Sequence, residues 1–160
     1  MFKGKNKKMK TIEIGNKTIG ENHPVFIIAE AGVNHNGSIE LAKKLIDVAK
    51  EAGVDAVKFQ TFKTENVVTR YAGMAEYQEK NIGKKETMQE MIKKLEISYN
   101  DFEKLKNYCD EKGIMFLSTP HSGDAIDFLD PLMPLYKVAS PDLTNFPFIE
   151  KIAKKRTLMK

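Results

Sequence analysis

The chain has 160 residues, of which 41% are hydrophobic and 30% are charged, and its formal net charge at pH 7 is +4. This length suffices for one domain with a sizeable core, and the composition is that of an ordinary globular protein. No apolar run approaches the roughly 18 residues that a membrane span needs, the N-terminus has no signal-peptide core, and a single cysteine excludes an internal disulfide. These features predict a cytoplasmic protein.

Two local features have an ordinary structural interpretation. Five lysines fall in the first ten residues, "MFKGKNKKMK". Without interleaved aromatic residues or a nucleic-acid motif, we interpret them as a solvated tail, so no nucleic-acid or membrane partner is predicted. Cys109 lies near the apolar face of a predicted helix, which favours a packed thiol over a nucleophile.

The N-terminal part predicts a β-hairpin followed by the first strand of a larger sheet. In "KTIEIGNKTIG", isoleucines alternate around Gly15 and Asn16, the type of dipeptide found in tight turns. The apolar run 25–29 predicts the first strand. An amphipathic helix is then predicted from about 38 to 52, with Gly53 as its stop.

Strands and helices continue to alternate along the rest of the chain. Further strands are predicted at residues 55–62, 114–118 and 135–140, and a fifth strand begins at 157–159. Helices are predicted after the capping pairs Thr87/Glu90 and Ser98/Asp101, at 124–129 and at about 147–155. A polar excursion with little periodicity, residues 63–86, separates the second strand from these helices.

This order of elements predicts an α/β fold with parallel strands and right-handed crossovers. The strands are continuous apolar runs, as expected when helices cover them. Two architectures fit: an open doubly wound sheet, or part of a (β/α)₈ barrel of the TIM type. No G-x-G-x-x-G follows a strand, so the dinucleotide-binding fold lacks its fingerprint. A whole barrel needs about 250 residues, so the barrel would be present as roughly its first half.

Polar side chains follow each predicted strand of the sheet. They are Glu30, Asn34 and His35 after the first strand, Lys58 and Gln60 at the second, Ser118, Thr119 and His121 at the third, and Lys137, Ser140 and Asp142 at the fourth. In both architectures the active site lies at the carboxyl ends of the strands. We therefore expect these groups to meet at one rim.

The two lysines suggest what this rim binds. Lys58 and Lys137 lie within apolar strands, where a lysine must pair with an anion. Together with neighbouring hydroxyls they suit a phosphate or a carboxylate, and the alternative is a buried ion pair with Glu30. His35 and His121 are candidate metal ligands or acid/base groups, and the alternative for His35 is a hydrogen bond that holds its own loop.

Four stretches in the order "AEAGVNHNG", "AVKFQTF", "FLSTP" and "KVASPDLTNFP" resemble the sialic acid (nonulosonate) synthases, the NeuB-like enzymes. The resemblance extends from about residue 24 to the C-terminus. It implies an enzyme that condenses phosphoenolpyruvate with an N-acylated mannose-type sugar and releases phosphate, in surface glycan biosynthesis. It also implies a (β/α)₈ barrel followed by an antifreeze-like domain, a homodimer, and a divalent metal, manganese or magnesium.

The resemblance also implies roles for individual residues. Four of them would hold the phosphate and carboxylate of phosphoenolpyruvate, namely Lys58, Thr119, Lys137 and Ser140. Gln60 would help to position the substrates. Glu30 would contact the sugar and serve in proton transfer. Asp142 follows Ser-Pro where many members have Glu after Ser-Gly, so its carboxylate has a shorter reach.

Three further residues are candidates for the sugar side of the site. Tyr77 and Asn81 lie where the family has a loop over the sugar pocket, and Asn34 follows the first strand. The family's metal-binding histidines and antifreeze-like domain lie on later parts of the fold. The chain therefore resembles an N-terminal part, with residues 1–22 as tail and hairpin and 23–160 as an incomplete barrel, and we expect it to be inactive alone.

Two other functions remain open. One is a non-catalytic half-barrel that binds a phosphorylated ligand or a partner. The other is a phospho-sugar aldolase, in which Lys58 or Lys137 would form a Schiff base with its substrate.

Overall fold

The computed structural model describes residues 11–69, 72 and 87–155. In this part of the chain the strands are β1 (Ile12–Ile14), β2 (Lys17–Ile19), β3 (Ile28–Gly32), β4 (Ala56–Thr61) and β5 (Met115–Pro120). The helices are α1 (Ile39–Glu51), α2 (Thr64–Val67), α3 (Met88–Lys93), α4 (Tyr99–Lys112), α5 (Gly123–Leu129) and α6 (Phe146–Ala153), with a 3₁₀ helix at Ser140–Asp142. The basic tail, Tyr77, Asn81 and the predicted strand 157–159 lie outside the described residues.

The predicted hairpin and the parallel sheet are both confirmed. β1 and β2 pair antiparallel, with Ile12 opposite Ile19. β3, β4 and β5 form a parallel sheet in that order. The described strands do not close into a barrel, so the observed fold is an α/β arrangement with one parallel sheet of three strands.

The helix starts follow the predicted capping signals. The Ser38 hydroxyl accepts a hydrogen bond from the Leu41 N–H at 3.3 Å and begins α1. Thr87 and Glu90 form a reciprocal capping box at α3, and Ser98 caps α4. Such caps satisfy N–H groups that a helix cannot pair internally, which is why these starts are predictable from local sequence.

The core lies between one face of the sheet and helices α1 and α4. Phe59 is fully buried and packs against Phe102 and Phe116, with ring centroids 6.4 and 6.0 Å away. Cys109 is also fully buried. This burial confirms the packed thiol that the helix pattern predicts, and it raises the pKa of the thiol to about 12.

The first strand of the sheet begins later than predicted. The apolar run predicts residues 25–29, whereas β3 starts at Ile28 and continues to Gly32. Val25 is 80% exposed, and Ile27 is held at the entry to the sheet by a 2.8 Å hydrogen bond from its N–H to Asp55 Oδ2. Glu30 consequently lies within the strand, where it has a register partner on β4.

The predicted fourth strand, residues 135–140, is wrong. Residues 135–139 have no regular secondary structure, and the 3₁₀ helix follows them. Strands exist through ladder hydrogen bonds to a neighbour. Here the Ser118 N–H of β5 donates to the sulfur of Met133 at 3.3 Å instead of to a carbonyl of that segment.

Candidate functional site

The polar residues of β4 lie on the face of the sheet that points away from the core helices. Side chains alternate along a strand, and Phe59 points into the helix-covered core. Lys58 and Gln60, on either side of it, therefore share the opposite face. On that face Lys58 is opposite Glu30 of β3, and Gln60 is opposite Thr119 of β5.

Lys58 and Glu30 form an ion pair across the two strands. The two partners differ in environment, because the Lys58 side chain is only 9% exposed whereas that of Glu30 is 52% exposed. The sequence leaves open whether Lys58 pairs with a ligand anion or with Glu30, and the structure shows the pair with Glu30. It places a buried ammonium and a half-hydrated carboxylate side by side on the open face of the sheet.

The end of β5 carries a hydroxyl with no partner. Thr119 is 2% exposed, and its Oγ1 makes no hydrogen bond. By contrast, the hydroxyls of Thr61 and Ser118, on the helix-covered face, bond to each other at 2.7 Å. Buried polar atoms almost always have a partner, so the Thr119 hydroxyl has a hydrogen bond left to offer to a ligand or a water molecule.

His121 follows β5 directly and is surrounded by charged groups. Burial lowers the pKa of its imidazole, the ammonium groups of Lys137 and Lys58 lower it further, and the Asp142 carboxylate acts in the opposite direction. These interactions bring Lys58, Lys137, Asp142 and His121 into one neighbourhood. Residues of β4, of the segment 135–139 and of the 3₁₀ helix therefore lie near His121.

The residues predicted on a fourth strand lie instead on an irregular segment and on the 3₁₀ helix that follows it. Lys137 is exposed, so the expectation that it lies inside a strand without a solvated face is wrong. Ser140 and Asp142 lie on the 3₁₀ helix, where the Asp142 N–H donates to the Ala139 carbonyl at 3.0 Å. Asn34 is exposed in the loop after β3.

An apolar cleft of about 240 Å³ adjoins this polar group. Gln60 and His121 contribute its polar end, and its apolar walls are formed by Val33, Phe62, Val67, Ile92 and Leu95. The sequence predicts Ile92 and Leu95 only as the apolar face of a helix. Nothing in their spacing indicates that they would line a cleft, because that depends on where α3 packs against α2.

Glu96 joins the segment after α3 to α2 beside this cleft. Its Oε2 accepts hydrogen bonds from the N–H and the hydroxyl of Thr64, at 2.9 and 2.6 Å. Its other oxygen accepts one from the Lys93 ammonium at 2.8 Å. Thr64 is 1% exposed, so this carboxylate satisfies buried donors and fixes α2 against the α3 region.

His35 holds its own loop, as one of the two alternatives for it predicts. It is 1% exposed, and its Nδ1 accepts a hydrogen bond from the Gly37 N–H at 3.0 Å. Burial lowers the pKa of its imidazole. The ring lies 6.1 Å from that of Phe59, on the helix side of the sheet and away from the Lys58 face.

Within residues 11–69, 72 and 87–155, no group of three or more His, Cys, Asp or Glu side chains is placed to hold a metal ion. Among the same residues, no helix is long and apolar enough to cross a membrane.

Comparison with known proteins identifies the family. The NeuB family model matches residues 45–159. The chain belongs to the NeuB family. The N,N'-diacetyllegionaminic acid synthase of Legionella pneumophila is 44% identical over 154 residues, which cover 96% of this chain and 42% of that protein. The mouse (Mus musculus) N-acetylneuraminate-9-phosphate synthase is 42% identical, over 86% of this chain and 38% of that protein.

A solved NeuB relative has the same fold over most of this chain. The N-acetylneuraminic acid synthetase of Leptospira borgpetersenii, crystallised with citrate, superposes with a TM-score of 0.73 at 32% identity. The alignment covers 92% of this chain and 47% of that structure. This NeuB chain thus spans about two fifths of the length of the curated relatives it matches.

Proposed function

We propose that the protein containing this chain is a nonulosonate synthase. It condenses phosphoenolpyruvate, an N-acylated mannose-type sugar and water to a nine-carbon α-keto acid and inorganic phosphate. The enol carbon of phosphoenolpyruvate forms a bond to the sugar aldehyde carbon, water adds to the resulting oxocarbenium carbon, and phosphate leaves as the keto group forms. Membership of a family whose named relatives are sialic and legionaminic acid synthases supports this reaction class.

The observation that carries the proposal is the buried, unpartnered hydroxyl of Thr119 on the face of the sheet that also carries the Lys58 ammonium. Phosphate and carboxylate oxygens accept strong hydrogen bonds from both kinds of donor. Gln60 is the register partner of Thr119 and adds an amide on the same face. These three groups would hold phosphoenolpyruvate in attack geometry and stabilise charge on the departing phosphate.

Lys137 adds the second positive charge to this anion site. In the described part of the chain no carboxylate lies within ion-pair distance of its ammonium, whereas Lys58 is bound to Glu30. The exposed Lys137 ammonium is therefore available to a ligand phosphate, with Ser140 as a neighbouring donor. The net charge of this group does not by itself favour an anion, because the carboxylates of Glu30 and Asp142 offset the ammonium groups of Lys58 and Lys137.

Glu30 is the proposed proton-transfer group. Its carboxylate is half exposed on the open face, so a sugar hydroxyl can reach it while Lys58 fixes its position. Asp142, which acts electrostatically on His121, is proposed as the second carboxylate of the site. Asn34, Tyr77 and Asn81 are proposed to contact the sugar.

The remaining parts of the proposal concern the whole protein. The three parallel strands would form part of a (β/α)₈ barrel, and the full-length enzyme would be a homodimer. A divalent metal, which the family resemblance implies, would need ligands from outside the described residues. We assign no step to it.

The direct test is phosphate release by protein expressed from the complete open reading frame that encodes this chain. It would be incubated with phosphoenolpyruvate and either N-acetylmannosamine or a diacetamido-trideoxy sugar. Phosphate formed in a one-to-one ratio with a nine-carbon keto acid, and only when both substrates are present, supports the proposal. Phosphoenolpyruvate affinity without turnover on any N-acylated sugar would instead indicate the non-catalytic binder.

The aldolase alternative has its own readout. Schiff-base formation needs a free amine to attack a carbonyl, whereas the Lys58 ammonium is engaged by Glu30. Borohydride in the presence of a keto or aldehyde substrate would trap a covalent adduct on Lys58 or Lys137 if the aldolase mechanism held. We expect no adduct.

A further inference from the structure

His121 has a defined place in the site but no role in the reaction proposed so far. Its backbone N–H donates to the Thr61 carbonyl at 3.1 Å, which continues the pairing of β5 with β4 by one residue. Its ring lies edge-on to that of Phe62, with centroids 6.4 Å apart. The imidazole thereby reaches the polar end of the apolar cleft next to Gln60.

The imidazole carries an unsatisfied buried nitrogen. His121 Nε2 is sealed from solvent and has no hydrogen-bond partner. The Thr119 hydroxyl, two residues earlier on the same strand end, is in the same condition. Residues two apart along a strand point to the same side. Two unpartnered polar groups therefore face the same region, on the side of the sheet that carries Lys58.

Burial of this ring favours its neutral form. The Asp142 carboxylate opposes this effect, and the ammonium groups of Lys137 and Lys58 add to it. A neutral imidazole has one N–H donor. Near the ammonium groups of Lys58 and Lys137, an N–H donor and a hydroxyl suit the oxygens of an anion.

We propose that His121 binds the anionic substrate as a neutral hydrogen-bond donor, its imidazole N–H donating to a phosphate or carboxylate oxygen held between Lys58 and Lys137. This inference rests on the proposed function and adds a residue to its phosphoenolpyruvate site. No proton is transferred in this role. His121 fixes the anion, and Thr119 donates to the same group from the adjacent position.

The test compares phosphoenolpyruvate binding by three single variants of protein from the complete open reading frame. His121→Phe keeps a planar ring and removes the donor. His121→Gln restores an amide N–H near the position of Nε2. His23→Gln is the matched control, since His23 is exposed in the turn before β3. A hydrogen bond to a charged group predicts that His121→Phe weakens binding by roughly tenfold or more, that His121→Gln stays within about threefold, and that the control is unchanged.

A second measurement follows the NMR signals of the His121 ring directly. The signals of His121 and His23 are identified as the ring ¹H–¹⁵N signals that disappear in His121→Gln and in His23→Gln. We expect the His121 signals to shift on addition of phosphoenolpyruvate and to retain the pattern of a neutral imidazole, while those of His23 stay fixed. This readout needs only the wild type and the two glutamine variants, so it remains available if His121→Phe does not fold.

The outcomes separate the inference from the proposed function. If the wild-type protein binds phosphoenolpyruvate and turns it over, but the ring signals do not move and His121→Phe binds equally well, the inference is overturned and the proposed function stands. If the ring shifts to the imidazolium pattern on binding, the neutral-donor role is wrong. If the wild-type protein neither binds phosphoenolpyruvate nor releases phosphate, the proposed function fails and the inference fails with it.

Discussion

Glu30 and Lys58 are register partners on adjacent parallel strands, and their side chains form an ion pair whose two members differ in hydration. The Lys58 ammonium is nearly buried, whereas the Glu30 carboxylate is half exposed. A buried charge that loses its partner costs much more than an exposed one. The pair should therefore respond unequally to removal of one member or the other.

We expect Glu30→Gln to lower the free energy of unfolding by about 1–3 kcal/mol, because it leaves a buried ammonium without a counter-ion. Lys58→Met should cost less than about 1 kcal/mol, since methionine fills similar space and the remaining carboxylate is hydrated. Urea denaturation of the two variants gives both values. The matched control is Glu150→Gln, which breaks a pair with Lys154 whose side chains are 68% and 71% exposed. It should have no measurable effect, and equal losses at Glu30 and Lys58 would contradict the asymmetry.

The same pair indicates how far the sequence could predict the site. The residue types at the strand ends were enough to name Glu30, Lys58, Gln60 and Thr119 as one group, because parallel strands bring their ends together. The residue types do not determine whether Lys58 pairs with Glu30 or with a ligand. Only the register, which sets Glu30 opposite Lys58, decides it. Register depends on the whole sheet and not on the sequence of either strand alone.

Gly37 offers a second test, at a point where a loop approaches the connection after α3. Its φ is +75°, and a Cβ there would collide with the carbonyl oxygen of Lys94. Gly53 has nearly the same φ, +74°, but a Cβ at that position would meet nothing within 4 Å. We expect Gly53→Ala to cost about 1–2 kcal/mol for the left-handed backbone alone. Gly37→Ala should cost about 1–3 kcal/mol more, because overpacking adds to that strain.

Thermal or urea unfolding of the two glycine variants provides the measurement. The comparison is internally controlled, since both substitutions impose the same backbone penalty. Equal losses would mean that the loop moves away from Lys94 at no cost. A larger loss at Gly37 would show that the loop held by His35 is fixed against the α3 side of the cleft.

Helices were easier to predict than strands for a physical reason. The start of α4 at Ser98 and its stop at Gly113 are local, because a side-chain cap and a left-handed residue act on their own turn. The apolar character of segment 135–140 predicts a strand. Apolarity, however, indicates that a segment is buried and not that its backbone pairs with a neighbouring strand. Its backbone forms no ladder with β5, so Lys137 is exposed at the rim instead of buried in the sheet.

Asp124 predicts a pH dependence. It accepts hydrogen bonds from the Tyr99 hydroxyl at 2.7 Å and the Asn66 amide at 3.0 Å, and the Lys63 ammonium lies 3.4 Å away. Burial tends to raise the pKa of this carboxyl, but Ser122, Tyr99, the Asp124 backbone N–H and the Lys63 ammonium outweigh it and lower the pKa to about 2, from its ordinary value of 3.8. Since the folded-state pKa lies below the unfolded one, the carboxylate stabilises the fold above pH 3.8, and this contribution disappears as the pH falls toward 2.

The measurement is the free energy of unfolding of wild type and Asp124→Asn between pH 2 and 6. The Asp124 side chain is 41% exposed, so after allowance for screening we expect a difference of about 1 kcal/mol above pH 4 that shrinks toward pH 2. Tyr99→Phe should raise the pKa of the Asp124 carboxyl, as read by carboxyl-carbon NMR. A difference that stays constant across this range would show that Asp124 acts through packing and not through its charge.

Thr119 and Thr61 allow stability and function to be separated with one type of substitution. Both are buried near the ends of neighbouring strands, but the Thr61 hydroxyl bonds to Ser118 whereas that of Thr119 has no partner. Thr61→Val should therefore lower the free energy of unfolding by about 1–2 kcal/mol. Thr119→Val removes an unsatisfied polar atom and should leave stability unchanged or raise it by up to about 1 kcal/mol.

If Thr119 donates to the substrate anion, the same valine substitution should raise the KM for phosphoenolpyruvate by roughly tenfold or more. Thr119→Ser, which keeps the hydroxyl, should restore it to within about threefold of wild type. We expect Thr119→Val to preserve stability and to weaken binding. If the threonine were purely structural, its substitution would lower the stability of the protein and leave the KM unchanged. Urea denaturation and steady-state phosphate release on the same three proteins distinguish these outcomes.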